Sequence, residues 1–136
     1  MMSPYKQKFK KEYSFELLRI AIGDLESAKG LFEINKGRPE NIIYHIEQSI
    51  EKCIKAVLCF QGKEVLLTHD LEQLLNQLDD ANKPPEHHRY GSLSQYASIR
   101  RYEEGVEEIQ KSDVEILLTL GEKVIAWSQS FLKTSS

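Results

Sequence analysis

Long apolar runs are missing from this 136-residue sequence. No stretch approaches the roughly 20 residues a helix needs to cross a bilayer, so no membrane span is expected. Cysteine is scarce. Cys53 and Cys59 stand six apart in a helical pattern, which turns them about 240° from each other and prevents their pairing. Without Cys-x-x-Cys or His-Glu-x-x-His there is no recognisable metal centre, and no cofactor is expected. An excess of one charge is lacking too: 18 Lys+Arg face 21 Asp+Glu, a net charge of -3. That balance argues against a general nucleic-acid binder, although a local basic patch stays open. The opening MMSPYKQKFKKEY carries four lysines but no apolar segment of the signal-peptide kind, so a cytoplasmic protein is expected. Gly-rich phosphate loops, Ser-His-Asp signatures and glycosidase-like carboxylate pairs are absent locally.

What is present is helical periodicity. With 40% hydrophobic residues and a mean hydropathy of -0.45, the chain has enough apolar surface for one core, burying roughly two-thirds of its extended surface on folding. A basic extension over 1–13, one helical domain over 14–133 and a frayed tail over 134–136 are expected. Ser14 is read as the N-cap of a first helix reaching about Asn35. Leu18, Ala21, Leu25, Ala28 and Phe32 form its stripe, widened by Leu17 and Leu31. A second helix opens at Arg38-Pro39, where proline suits the first helical position, and ends at Gly62. Its stripe is Ile43, Ile46, Ile50, Cys53, Val57 and Phe60, broadened by Ile42, Ile54 and Leu58. Thr68 is expected to cap a short third helix bearing Leu71, Leu74, Leu75 and Leu78. Pro84-Pro85 marks a connection, followed by a weaker helical segment over 92–100. Ser112-x-x-Glu115 reads as a capping box for the last helix, with Leu117, Leu120, Val124, Trp127 and Phe131 inward. The fold class is all-α: an antiparallel up-and-down bundle of three long and two shorter helices, with no convincing strand.

The polar side of the second helix carries the most chemistry. His45, Gln48, Lys52 and Lys55 are spaced three, four and three, so they share one face, and Glu51 forms an i,i+4 pair with Lys55. Ammonium, amide and imidazole groups on one rod can bind phosphate, a nucleobase or a partner's acidic groups; the alternative is a solvated face. A second cluster interleaves cations and rings: His87-His88-Arg89-Tyr90, then Tyr96 and Arg100-Arg101-Tyr102. Glu103, Glu104, Glu107 and Glu108 follow, so self-paired charge remains open there. His69-Asp70 matches a fragment of a metal phosphohydrolase signature without the further ligands, which favours helix capping.

The run Tyr44-His45-Ile46-Glu47-Gln48-Ser49-Ile50-Glu51-Lys52-Cys53-Ile54-Lys55-Ala56, then Gly62, Thr68-His69-Asp70-Leu71 and Arg101-Tyr102, resembles the higher eukaryotes and prokaryotes nucleotide-binding (HEPN) domain. One departure is Glu103, where proline commonly follows Arg-Tyr in the family. The resemblance implies a helical bundle, commonly a homodimer, often encoded beside a minimal nucleotidyltransferase with which it forms a complex. It also implies, for many members of toxin–antitoxin and defence systems, metal-independent RNase activity from an Arg followed four to six residues later by His near the last helix. Here Arg100 and Arg101 are followed by no such histidine. Arg38 and His45 offer a similar bare spacing, at the front of the second helix.

The expectation is therefore a non-catalytic HEPN protein. His45, Gln48, Glu51, Lys52, Lys55, Arg100, Arg101 and Tyr102 would bind a nucleotide-type ligand, RNA, or a nucleotidyltransferase partner. The alternatives are an RNase using Arg38 and His45, and a structural homodimer without ligand.

Overall fold

The computed structural model describes residues 5–93 and 109–133. Three long helices dominate: α1 (Tyr13–Glu33), α2 (Pro39–Phe60) and α4 (Lys111–Leu132), with a short α3 (Leu71–Asn76) between the last two. Short 3-10 helices occupy Asp80–Asn82 and His87–Ser92. A two-residue antiparallel pair also joins β1 (Lys6–Gln7) to β2 (Val65–Leu66). That pair departs from the strandless reading; two residues are too few to produce a visible alternation.

Helix α2 is the centre of the bundle. Ile43, Ile46, Ile50, Cys53, Ile54, Val57 and Leu58 are all buried, as the three-four spacing requires. On its one side lies α1, antiparallel to it: Ser49 Oγ donates to the Ala21 carbonyl at 2.7 Å, and Phe15 meets Phe60 edge-on. On the other side α4 runs parallel to α2, because Ser128 Oγ reaches the Cys53 carbonyl at 3.2 Å while Ile46 lies against Gly121. Helices α2 and α4 are thus parallel to each other and antiparallel to α1. Gly121 is required where α4 crosses α1, since a β-carbon there would stand 2.7 Å from Leu25 Cδ1. Among the described residues no helix is long and apolar enough to cross a membrane.

Both connections around α2 are closed by Schellman turns. After α1, Asn35 takes φ 55°, and its N–H and that of Lys36 donate to the Phe32 and Leu31 carbonyls. After α2, Gly62 takes φ 76°, and its N–H and that of Lys63 donate to Cys59 and Leu58. Left-handed backbone suits Asn or Gly at this position, which is why these helices stop where they do.

Three expected caps are displaced. Ser14 lies inside α1, buried, with its hydroxyl donated to the Lys11 carbonyl at 2.6 Å, while Glu12 occupies the cap position. Asp70, not Thr68, caps α3: its Oδ1 accepts from the N–H groups of Glu72 and Gln73, and Thr68 Oγ1 instead accepts from Asp70 N–H. At α4 the reciprocal box is Gln110 with Asp113, rather than Ser112 with Glu115. The stripe of α1 is centred on Leu17, with Leu18, Leu31 and Phe32 only partly buried.

Candidate functional site

Gln48, Glu51, Lys52 and Lys55 do gather on one side of α2, but not as a freely solvated ridge. Glu51 is a buried carboxylate, its side chain 1% exposed, and it is the hub of the cluster. Lys55 Nζ donates to its Oε2 at 3.1 Å, and Lys52 Nζ lies 3.7 Å from the same oxygen. Lys52 Nζ also donates to Gln48 Oε1 at 3.1 Å. The other carboxylate oxygen, Oε1, faces His69 Nδ1 at 2.9 Å. A carboxylate can only accept, so Nδ1 is the donor in this contact.

The positions of these groups follow from the local sequence. Helical spacing alone brings Gln48, Glu51, Lys52 and Lys55 together. His69 arrives from the loop after α2, which is stapled in place by Gln77. The Gln77 side chain donates to the Glu64 carbonyl at 2.7 Å and accepts from Leu66 N–H at 3.0 Å. Thr68 and Asp70, through the turn and cap bonds already described, then fix the backbone on both sides of His69.

Helix α1 contributes Asp24. It lies within electrostatic range of Lys52, His45 and Glu51, and burial pushes its carboxyl above the usual aspartate range, against the pull of Lys52 and His45. His45 is half-buried, its ring edge-on to Tyr44 with centroids 5.9 Å apart. Asp24 was missed from the sequence although it interrupts the α1 stripe, three residues after Ala21 and four before Ala28. His69 was visible only as part of the Thr-His-Asp-Leu run.

Burial sorts the charges by sign. Glu51 is hidden, whereas Lys55 and Lys52 retain 15% and 22% exposure and the His69 side chain 83%. The cluster therefore presents ammonium and imidazole nitrogens to solvent over a concealed negative charge. Such an arrangement favours an anionic oxygen of a ligand, since charge-assisted hydrogen bonds from ammonium groups are among the stronger ones.

Arg38 and His45 both stand at the front of α2. Arg38 caps α2, with Nε 3.6 Å from Glu40 Oε2. His45 follows seven residues later, a rise of about 10 Å along the axis. Arg100, Arg101 and Tyr102, and with them Tyr96 and Glu103, lie outside the described residues. Of the other aromatic-cationic run, Tyr90 is buried and donates its hydroxyl to the Pro85 carbonyl at 2.6 Å, with burial pushing the phenol well above its ordinary range. Arg89 pairs with Glu86 at 2.7 Å. That segment is thus committed to holding the loop. Among the described residues no group of three or more His, Cys, Asp or Glu could hold a metal ion.

Comparison with known proteins places this geometry. No curated protein matches the chain. The structure resembles the crystal structure of TT1696 from Thermus thermophilus, with a TM-score of 0.69 at 20% identity, over 87% of this chain and 97% of that one. At that identity the likeness speaks for the fold. The model of the HEPN domain matches residues 15–131, from the first turn of α1 to the last turn of α4, and the chain belongs to the HEPN domain family.

Proposed function

We propose that this is a non-catalytic HEPN protein whose Lys52–Lys55–His69 face binds the phosphate of a nucleotide-type ligand. It acts as a homodimer beside a minimal nucleotidyltransferase partner in a two-component, toxin–antitoxin or defence-like system. The observation that carries the reading is the sorting of charge: one buried carboxylate organises two ammonium groups and an exposed imidazole. The cations are held in place before any ligand arrives, which lowers the ordering cost of binding. Gln48 and His45 supply orienting hydrogen bonds beside them. Arg100 and Arg101 add positive charge, and Tyr102 a stacking ring, in keeping with the family motif.

Titration calorimetry with ATP tests the reading. The double variant Lys52→Gln with Arg101→Gln, which sets no new carboxylate beside the buried Glu51, is expected to weaken affinity at least tenfold in protein shown by its melting curve to be folded. Each good charge-assisted contact is worth about 1.5–3 kcal/mol, and tenfold corresponds to about 1.4. Unchanged affinity in the variant, or no ATP binding by the parent protein, would reject the ligand assignment. The partner half is tested by reading the neighbouring frame and co-purifying this chain with any minimal nucleotidyltransferase it encodes; a neighbour of another kind, or no complex, would reject it.

A further inference from the structure

The far end of the bundle, where α1 begins and α2 finishes, carries a surface rich in lysines and exposed aromatic rings. Residues 5–13 hold Lys6, Lys8, Lys10 and Lys11 against a single acid, Glu12, in a chain whose overall charge is -3. All four lysines are exposed. Aromatic rings are interleaved with them. Tyr5 is 75% exposed, Phe15 50% and Tyr13 39%. Phe9 stacks on Tyr13 with centroids 5.0 Å apart, Phe15 meets Phe60 at 6.1 Å, and Lys11 Nζ sits 4.3 Å over the Phe60 ring. Tyr13 and Phe15 are two residues apart in a helix, about 200° around its axis, so the two aromatic pairs flank the first turn of α1.

This segment is tied to the body of the protein. Lys6 and Gln7 pair with Leu66 and Val65, the Tyr5 carbonyl accepts from Leu67 N–H at 2.7 Å, and Cys59 Sγ donates to the Lys10 carbonyl at 3.3 Å. The lysines and rings are therefore presented on a fixed support.

We propose that this end is a docking surface for single-stranded nucleic acid, with Lys6, Lys8, Lys10 and Lys11 on the phosphates and exposed rings of Tyr5 and Phe15 under unpaired bases. Cations alone would suit any polyanion. Open aromatic faces beside them select an unpaired strand, because every base offers a π-face for stacking and a duplex does not. The surface is separate from the α2 ridge and stands or falls without it.

The test is fluorescence anisotropy with a labelled U12 RNA and the full chain, at 50 and 200 mM salt. Each lysine engaged on a single strand contributes about 0.7 to the salt slope. Four of them predict about 50-fold weaker binding across that interval, and Lys8→Ala with Lys10→Ala reduces this to about sevenfold. Phe15→Ala is expected to weaken binding at least about fivefold, as loss of one base stack does. Should that variant melt early, Tyr5→Ala gives the same readout on a ring that supports little of the fold. Lys123→Ala, a surface lysine outside both surfaces, is expected to leave U12 affinity unchanged. The proposal is overturned by no binding at 50 mM salt, by aromatic variants that bind as tightly as the parent, or by polyglutamate binding as well as U12. It is equally overturned if Lys123→Ala abolishes RNA binding, or if Phe15→Ala merely converts a dimer to a monomer.

Discussion

Replacing Glu51 by Gln isolates the charge that organises the site, because the amide keeps the size of the side chain and an acceptor for His69 Nδ1. Lys55 then loses its 3.1 Å partner and Lys52 its 3.7 Å partner. Breaking a fully buried ion pair costs about 3–5 kcal/mol when the orphaned charge stays buried, whereas a surface pair is worth about 0–1 kcal/mol. Here the carboxylate is buried but the lysines keep 15% and 22% exposure and can swing outward. The expected loss lies between those limits, at about 2–3 kcal/mol. For a domain of this size, roughly 3–5 °C per kcal/mol gives a fall in melting temperature of about 6–15 °C by calorimetry. Adding Lys55→Met removes the stranded ammonium and should restore at least half of that loss. His69→Ala, by contrast, deletes one hydrogen bond from a side chain 83% exposed and should cost about 1 kcal/mol or less. Ligand affinity should fall with it: without the carboxylate that holds them the two ammonium groups are no longer preorganised, and ATP should bind Glu51→Gln more weakly than the parent. A Glu51→Gln protein that melts within about 2 °C of the parent, less than 1 kcal/mol, or a double variant less stable than the single one, would refute the assignment of Glu51 as buried counter-ion.

Gly121→Val should lower the melting temperature through overpacking worth about 1–3 kcal/mol against Leu25; Gly23→Ala and Gly30→Ala, where a β-carbon meets nothing within 4 Å, should each raise stability by about 0.4–1 kcal/mol. Asp24→Asn should stabilise the protein at pH 7. The folded carboxyl titrates above its unfolded value, so stability falls as pH rises through that window, and the advantage of Asn should vanish below the ordinary aspartate range in a pH series of melts. The buried Cys53 thiol is pushed up to about 12, chiefly by burial, so iodoacetamide at pH 8 should leave it unmodified in native protein and label it after denaturation. Ser49→Ala removes the buried bond to the Ala21 carbonyl and should cost about 1 kcal/mol by denaturant titration.

The three long helices were legible because their apolar residues recur every three or four positions, and that spacing is a direct image of the helix surface. The caps were less so. Ser14, Thr68 and Ser112 each have the hydroxyl that a cap favours, yet each stands two residues away from the group in the cap position. Ser14 shows why: it lies three residues before Leu17 on the inward stripe, so packing draws it into the core and its hydroxyl turns back to the Lys11 carbonyl. Local chemistry nominates a cap, but the register of the buried face decides which residue can take it.

The site divides along the same line. Gln48, Lys52 and Lys55 share a face by spacing alone, and the pairing of Glu51 with Lys55 follows from i,i+4 geometry. Neither consideration says that Glu51 is buried. Its burial belongs with a loop fixed by Gln77 across eleven and thirteen residues of sequence and with the packing of α1, which sets Asp24 near Lys52. A helical wheel treats Glu51 as one more exposed acid that cancels a lysine. Once hidden, the same carboxylate holds two ammonium groups and an imidazole in place while leaving their outward sides uncovered. An otherwise ordinary Glu-Lys pattern becomes an anion-facing site only through residues distant in sequence, and this makes His69, rather than any residue of α2, the sharpest probe of whether ligand recognition depends on the tertiary fold or on the helix alone.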